Sequence, residues 1–325
     1  MATGIFGLCS AVLSLIKVDF NKKVFYPLVL FIFNLPQIMI KLTPWLLVIR
    51  PKTLLVALAV ILLGQTLAFY DAGARFSLFI AGLCMLCCMA LQITVNLAND
   101  YFDGKNGIDG DDRLGPDRAM HKGFIQPSAM RYGIIVMCLI AICCGSYLLY
   151  IGGWPFVLLG LLSLAGVYLY SGGPKPLASH GLGEVAVFLY FGWLAVVGSY
   201  YLQTGVLNAA VFVPASEIGL LVAAIMLVNN TRDIASDSAS QKFTLATRLG
   251  VTASKQLYCL LIMFPSVLLL LDDYQSWWML LLLPVQLGLC RGIYVRSGRT
   301  LNLQLAQTSL CVLLWALLYS VPLLF

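Results

Sequence analysis

The sequence predicts an all-α membrane protein with nine transmembrane helices. Of the 325 residues, 61% are hydrophobic and only 10% are charged, whereas an ordinary soluble domain carries about 25% charged residues. Apolar runs close to the roughly 20 residues that cross a bilayer recur along the chain. The basic residues are concentrated in every second loop, which is the third observation that supports this fold class.

Nine apolar runs are the candidate membrane spans. Several contain Gly or Pro, which membrane helices tolerate because neighbouring groups satisfy the freed backbone. The predicted spans are residues 53–70, 76–98, 132–151, 154–171, 182–203, 211–229, 251–271, 276–293 and 303–324.

The loop charges support this count. Nineteen of the twenty Lys and Arg residues lie in the N-terminal segment or near even-numbered loops, and only Arg75 lies in an odd-numbered loop. The positive-inside rule makes the even-numbered loops cytoplasmic. Because these basic residues sit in short loops, the net charge of +6 does not indicate nucleic-acid binding. The cysteines lie almost wholly in apolar runs, where a Cys behaves as a small hydrophobic residue.

Residues 1–45 precede the regular pattern, and we interpret them as an N-terminal extension of a functional domain over residues 46–325. Residues 24–40 are apolar but interrupted, which fits an extra span, an interfacial helix or a signal-like segment. We do not expect a signal peptide, because no small-residue cleavage site follows. Met39 directly precedes the regular pattern, so a second hypothesis is that it is the biological start.

Eight of the fourteen acidic residues lie in two short stretches that follow the second and sixth predicted spans. Ionised carboxylates are costly near a bilayer and tend to be functional there. If the helix continues past the apolar run, Asn96, Asp100 and Asp103 share one helical face. Asp233 and Asp237 share a face in the same way.

Two such faces would direct four carboxylates into one cavity. Mg²⁺ usually takes one or two carboxylates plus substrate phosphates, so the pattern predicts a diphosphate held between two metal ions. Basic residues in the same stretches are candidates for the remaining phosphate oxygens. These are Arg118, Lys122, Arg232, Lys242 and Arg248. We interpret Asp109, Asp111 and Asp112, which lie in a glycine-containing turn, as solvated loop residues.

Four stretches carry a resemblance to a known family. They are RPKTL (50–54), LQITVNLANDYFDGKNGIDGDDRLGPDRAMHKG (91–123), GLGE ending at Glu184 with FLYFGW (188–193), and NNTRDIASDSASQKFTLATRLG (229–250). In this order they resemble the UbiA superfamily of intramembrane aromatic prenyltransferases, and most of all its dihydroxynaphthoate branch of menaquinone synthesis. Many relatives space the first acids as D-x-x-x-D. Position 104 is Gly here, and Asp103 is the natural substitute.

The resemblance implies a nine-helix bundle around a central cavity, with cytoplasmic cap loops 2-3 and 6-7, in a bacterial inner or plasma membrane. It implies Mg²⁺ as cofactor, with polyprenyl diphosphate, 1,4-dihydroxy-2-naphthoate and membrane lipid as partners. The implied reaction transfers the polyprenyl group to the naphthoate with decarboxylation, giving demethylmenaquinol. The implied metal ligands are Asp100, Asp103, Asp233, Asp237 and Asn96.

Further residues have candidate roles toward the substrates. Arg50, Lys52 and Lys122 are candidates for holding the ring carboxylate, and snorkelling to lipid phosphates is the alternative for the first two. Tyr170 is a candidate for stabilising a cation-like allylic carbon. Glu184 is a candidate for orienting a basic group or the aromatic substrate. The alternative is a satisfied charge at the end of a helix. The substrate-binding candidates are Arg50, Lys52, Asn96, Asn99, Arg118, Tyr170, Glu184, Asn230, Arg232 and Lys242, and Lys122 joins the four aspartates as a catalytic candidate.

Two other functions fit parts of the pattern. A prenyltransferase of another aromatic acid, such as 4-hydroxybenzoate, would use the same acids, although the NLANDYFD form and the G-x-x-x-x-D-R-x-G-P-x-R pattern favour naphthoate. An ion-coupled transporter would place ionisable groups near the bilayer midplane, often on broken helices. The acids here lie at helix ends, which disfavours transport.

Overall fold

The structure is a computed structural model of the chain. It describes residues 43–105, 114–115, 118–171, 176–272, 274 and 276–324. Contacts divide the chain into two units, Met1–Trp45 and Leu46–Phe325, and every element named below belongs to the second. Residues 1–42 of the predicted extension lie outside the described residues, as do Asp109, Asp111 and Asp112.

The described part of the second unit is helical and contains no strand. Its helices are α1 Pro51–Ala72, α2 Leu78–Lys105, α3 Pro127–Gly152, α4 Trp154–Ser171, α5 Gly183–Thr204, α6 Phe212–Arg232, α7 Ile234–Ala239, α8 Leu245–Leu268, α9 Leu283–Val295 and α10 Leu301–Leu324.

Each predicted apolar run corresponds to one of these helices. Eight helical segments in the described ranges are long and apolar enough to cross a membrane. The remaining one, Trp154–Tyr170 of α4, is apolar but shorter. The all-helical membrane fold is therefore confirmed at the level of eight candidate spans.

The acidic stretches begin where the apolar runs end. α2 continues past the predicted run to Lys105, so its last two turns carry Asp100 and Asp103. The helical interpretation of the first stretch is thus confirmed. α6 ends before Asp233, and the short α7 follows. The backbone N–H of Asp237 still donates to the carbonyl of Asp233 at 2.8 Å, so the helical spacing of the two acids is kept.

α6 is the most enclosed of the candidate spans. It packs against α5, α8 and α10, while α10 packs against α1 and α2 packs against α3. A π-helical stretch, Phe188–Val197, forms the middle of α5 and brings Gly192 against α6. A Cβ on Gly192 would lie 2.7 Å from the carbonyl oxygen of Ala215, so glycine permits this close approach.

α4 packs on α2 and α3, and long side chains bridge it to α5. The Tyr190 hydroxyl donates to the carbonyl of Leu162 at 2.8 Å. The rings of Phe156 and Tyr201 stack with their centroids 5.5 Å apart. Besides these contacts, a space lies between the two helices.

Candidate active site

This space is a cavity of about 960 Å³ that is lined by residues of α1 to α7. Its α2 wall runs from Asp103 back to Cys84, about 29 Å at 1.5 Å per residue. That length is close to the ~30 Å hydrocarbon thickness of a bilayer. One end is polar and the remainder is mostly apolar. The polar end is lined by Arg50, Asn96, Asn99, Asp103, Arg118, Tyr170, Asn229, Asp233, Ser236, Asp237 and Lys242.

The first acidic stretch is hydrogen-bonded by residues of the loop that follows α2. Arg118 Nη2 donates to Asp103 Oδ2 at 3.0 Å, and both residues are buried. Asp100 is 1% exposed. Its two oxygens accept from the backbone N–H groups of Ala119 and Met120 at 3.3 Å each. Asp103 lines the cavity, whereas Asp100 anchors the returning loop and is not among the lining residues.

The second acidic stretch is also paired with basic side chains. Arg232 binds Asp233 side-on, with Nε 2.8 Å from Oδ1 and Nη2 2.6 Å from Oδ2. The same guanidinium donates to Asn229 Oδ1 at 2.9 Å. Lys242 Nζ lies 3.7 Å from Asp237 Oδ1. Asp233 and Asp237 line the same cavity as Asp103, whereas the sequence predicts that all four carboxylates enter it.

Asp103, Asp233 and Asp237 each have a basic partner, which offsets the cost of burying their charge. In the parts of the chain that the structure describes, no three His, Cys, Asp or Glu side chains converge tightly enough to hold a metal ion by themselves. The oxygen donors suit Mg²⁺, which usually shares its coordination with substrate phosphates. The donor set thus fits a metal that shares its ligands with a diphosphate.

Asn96 joins α2 to the start of α1. Its Nδ2 donates to the carbonyl of Ile49 at 2.8 Å and to Thr53 Oγ1 at 2.9 Å. Its Oδ1 accepts from Gln92 Nε2 at 3.2 Å. These contacts fix the orientation of an amide that lines the cavity.

Arg50 lies in a strained backbone conformation beside the cavity. Its φ of 54° is in the left-handed region, just before the proline that starts α1. Such a conformation costs about 1–3 kcal/mol and is typical of functional sites. The Arg50 carbonyl accepts from both the backbone N–H and the hydroxyl of Thr53 at 2.9 Å, which holds this turn in place.

A second polar group lies at the start of α5. Asn230 Nδ2 donates to Glu184 Oε1 at 2.8 Å, and both residues are buried. Neither Glu184 Oε2 nor Asn230 Oδ1 has a hydrogen-bond partner within the described ranges. The nearby Tyr170 hydroxyl lines the cavity and donates to Met226 Sδ at 3.1 Å, a weak acceptor. Glu184 and Asn230 therefore keep unused hydrogen-bonding capacity, although neither is among the residues that line the cavity.

The profile of the UbiA prenyltransferase family matches residues 56–317 of the chain. The chain belongs to the UbiA prenyltransferase family. A 1,4-dihydroxy-2-naphthoate octaprenyltransferase of Escherichia coli (strain K12) is 38% identical over 264 residues, which are 77% of this chain and 84% of that protein. One of Mycobacterium leprae (strain TN) is 35% identical over 278 residues, 84% of this chain and 93% of that protein.

A solved structure shares the fold. The structure of a UbiA homolog from Archaeoglobus fulgidus bound to GPP and Mg²⁺ has a TM-score of 0.62 to this chain at 17% sequence identity. The match covers 86% of this chain and 99% of that one. The resemblance predicted from the four sequence stretches is therefore confirmed for the family and for its helical fold.

Some predicted site residues of this UbiA protein lie away from the chamber. Lys52 and Lys122 are exposed and are not among the residues that line it. The aromatic residues that the sequence offers for stabilising an allylic cation are Tyr101, Phe102, Tyr168 and Tyr170. The first three pack on one another, with Phe102 5.4 Å from Tyr101 and 5.8 Å from Tyr168 between ring centroids. The roles assigned to these residues stay predictions.

Other residues of the site were not predicted from the sequence. Asn302, the second residue of α10, accepts from Arg232 Nη1 at 2.6 Å. Thr53 and Gln92 orient Asn96. Thr53 lies inside the RPKTL stretch, and Gln92 lies one helical turn before Asn96, so spacing alone could have suggested both. Asn302 has no comparable signal, because it lies about 70 residues from the second acidic stretch.

Proposed function

We propose that the chain transfers a polyprenyl group from an allylic polyprenyl diphosphate to 1,4-dihydroxy-2-naphthoate with decarboxylation, giving demethylmenaquinol. One observation carries the proposal: a single cavity, about 29 Å long along α2, contains the ion-paired acids of both stretches at one end and is mostly apolar over the remainder. A diphosphate requires the charged end, and a polyprenyl tail requires the apolar length. The names of the Escherichia coli and Mycobacterium leprae relatives support this acceptor.

The metal and diphosphate belong at the charged end. We assign metal binding to Asp100, Asp103, Asp233, Asp237 and Asn96. Mg²⁺ bound there would neutralise charge on the departing diphosphate. Arg118, Arg232 and Lys242 already neutralise three of these carboxylates. When the diphosphate enters, the same three cations can pair with its oxygens and stabilise the charge that grows on it.

The prenyl acceptor, dihydroxynaphthoate, belongs between the charged end and the start of α5. Tyr170 lines the cavity there. Glu184 and Asn230 each keep an unused oxygen behind it. Arg50 lines the cavity and supplies a positive charge for the ring carboxylate. We therefore place the naphthoate beside Tyr170, with Arg50 toward its carboxylate. We keep Lys52, Lys122 and Asn99 as further candidates.

The membrane arrangement follows the loop charges. We propose nine crossings, with the shorter helix α4 as the fourth. The two acidic stretches then face the cytoplasm, because the basic loops are the even-numbered ones. The transferase domain is residues 46–325, and residues 1–45 are an extension.

The test is an assay with purified protein, a polyprenyl diphosphate, dihydroxynaphthoate and Mg²⁺. We expect release of diphosphate and formation of the prenylated quinol, with loss of both in EDTA. Asp233→Ala should abolish activity, and Asp71→Asn should not. Asp71 is the matched control because it lies about 30 Å along α1 from Arg50 and is bound by Tyr200 and Tyr274.

Two outcomes would refute the proposal. Full activity in EDTA or in Asp233→Ala would exclude the metal–diphosphate mechanism. If the protein preferred 4-hydroxybenzoate, supplied in parallel at equal concentration, that compound and not the naphthoate would be the prenyl acceptor. The proposal of prenyl transfer itself would then stand.

A further inference from the structure

Asn302 lies on a helix that carries neither acidic stretch, yet its side chain contacts both parts of the site. Its Oδ1 accepts from Arg232 Nη1 at 2.6 Å. Its Nδ2 donates to the carbonyl of Leu114 at 3.0 Å. One amide therefore joins the second acidic stretch to the loop that follows the first.

The contact to Arg232 fixes the plane of its guanidinium. The Nε and Nη2 atoms of Arg232 bind Asp233 and Asn229. Asn302 accepts from Nη1, the third nitrogen of the planar guanidinium. A guanidinium held on all three nitrogens keeps one orientation, so the position of the Asp233 carboxylate beside it is defined as well.

The contact to Leu114 involves the loop that contains Arg118, on the side of the first acidic stretch. Leu114 precedes Arg118 by four residues, and Arg118 pairs with Asp103. The loop after Arg118 then supplies the backbone N–H groups that bind Asp100. Asn302 thus contacts both Arg232, which pairs with Asp233, and a residue four positions before Arg118, which pairs with Asp103.

We propose that Asn302 is a positioning residue for the diphosphate end of the site. It sets the separation of the two ion pairs between which the metal-bound diphosphate would lie. The inference rests on the proposed function, because it assigns the diphosphate to these pairs. It does not involve the acceptor, so the two substrates should respond differently to its loss.

The test uses two variants that separate the two hydrogen bonds. Asn302→Ala removes both contacts. Asn302→Asp keeps an acceptor for Arg232 but cannot donate to the Leu114 carbonyl. We expect both to raise the KM for the prenyl diphosphate and the half-saturating Mg²⁺ concentration, by about tenfold for Asn302→Ala. The KM for the naphthoate should stay within about twofold.

A matched control and a measurement without turnover accompany this test. Gln307→Ala removes an amide on the same helix that accepts from Arg296 Nη1 at 2.6 Å on an exposed surface, and it should change neither KM. Binding of inorganic diphosphate in the presence of Mg²⁺, measured by calorimetry, should weaken in both Asn302 variants and stay normal in the control.

Several results would overturn the inference. An unchanged diphosphate KM in Asn302→Ala would show that the residue does not position the site. A normal Asn302→Asp would show that the link to Leu114 is irrelevant. Equal losses for both substrates together with a lowered unfolding temperature would indicate a purely structural role. If the wild-type protein transfers no prenyl group to any acceptor, the proposed function fails, and calorimetry still tests Asn302.

Discussion

The depth of the apolar tunnel can be tested by filling it at Gly145 of α3. Gly145 lines the cavity, and a Cβ placed on it would lie 3.7 Å from Cys87 Sγ, which is an ordinary contact. Cys87 lies sixteen residues before Asp103 on α2, which is about 24 Å along the helix axis. A large side chain at position 145 should therefore close the tunnel about 24 Å from the charged end.

This distance predicts which donors are affected. An extended chain advances about 1.2 Å per bond, so a four-bond isoprene unit advances roughly 5 Å. About four to five units then fit between Asp103 and the block. A geranyl tail has two units and stays clear of it, whereas an octaprenyl tail reaches it. Forcing a chain into filled space costs about 1–3 kcal/mol, which lowers kcat/KM by about 5- to 150-fold.

The assay compares kcat/KM for geranyl diphosphate and octaprenyl diphosphate in wild type, Gly145→Ala and Gly145→Phe. We expect Gly145→Phe to lose turnover of the octaprenyl donor and to keep that of the geranyl donor within about twofold. Gly145→Ala is the control and should change neither, because its Cβ meets no close contact. Equal losses for both donors, or a normal octaprenyl rate in Gly145→Phe, would show that the tail does not occupy this tunnel.

Three further substitutions test the packing of the site by thermal unfolding in detergent. Arg118→Leu leaves Asp103 buried without its ion pair and should destabilise by about 3–5 kcal/mol. The added change Asp103→Asn should restore part of the loss, and no restoration would contradict the pairing. Glu184→Leu should cost about 1–3 kcal/mol by stranding the Asn230 amide, whereas Glu184→Gln, which can still accept, should cost less. Gly192→Ala should cost about 1–3 kcal/mol through a clash with α6, and wild-type stability would refute the close approach.

The helices and the acidic faces could be predicted because each depends on local sequence. Apolar length defines a span wherever it occurs. The spacing of Asn96, Asp100 and Asp103 defines one face once the helix continues, as α2 does. The π-helical stretch of α5 could not be predicted in this way, since it depends on how closely Gly192 approaches another helix.

The roles of individual acids were harder to predict than their presence. Asp100 and Asp103 have the same side chain and lie on the same face. Yet Asp100 binds backbone N–H groups of the returning loop, while Asp103 pairs with Arg118 at the cavity. That difference is set by the path of a loop, which helical periodicity does not describe. Asn302 was missed for the same reason: its partners are distant in sequence.

The interleaved basic residues explain why the acids can be buried before any ligand arrives. Arg118, Arg232 and Lys242 pair with three of the four predicted ligand carboxylates, and Arg50 adds a fourth positive charge at the cavity, so these eight side chains carry about no net charge. Two magnesium ions with a prenyl diphosphate would add about one positive charge, whereas either component alone would leave several charges uncompensated. Uncompensated charge is expensive in a buried chamber. The electrostatics therefore favour holding metal and diphosphate together, and the basic residues between the aspartates are as much a part of the motif as the aspartates are.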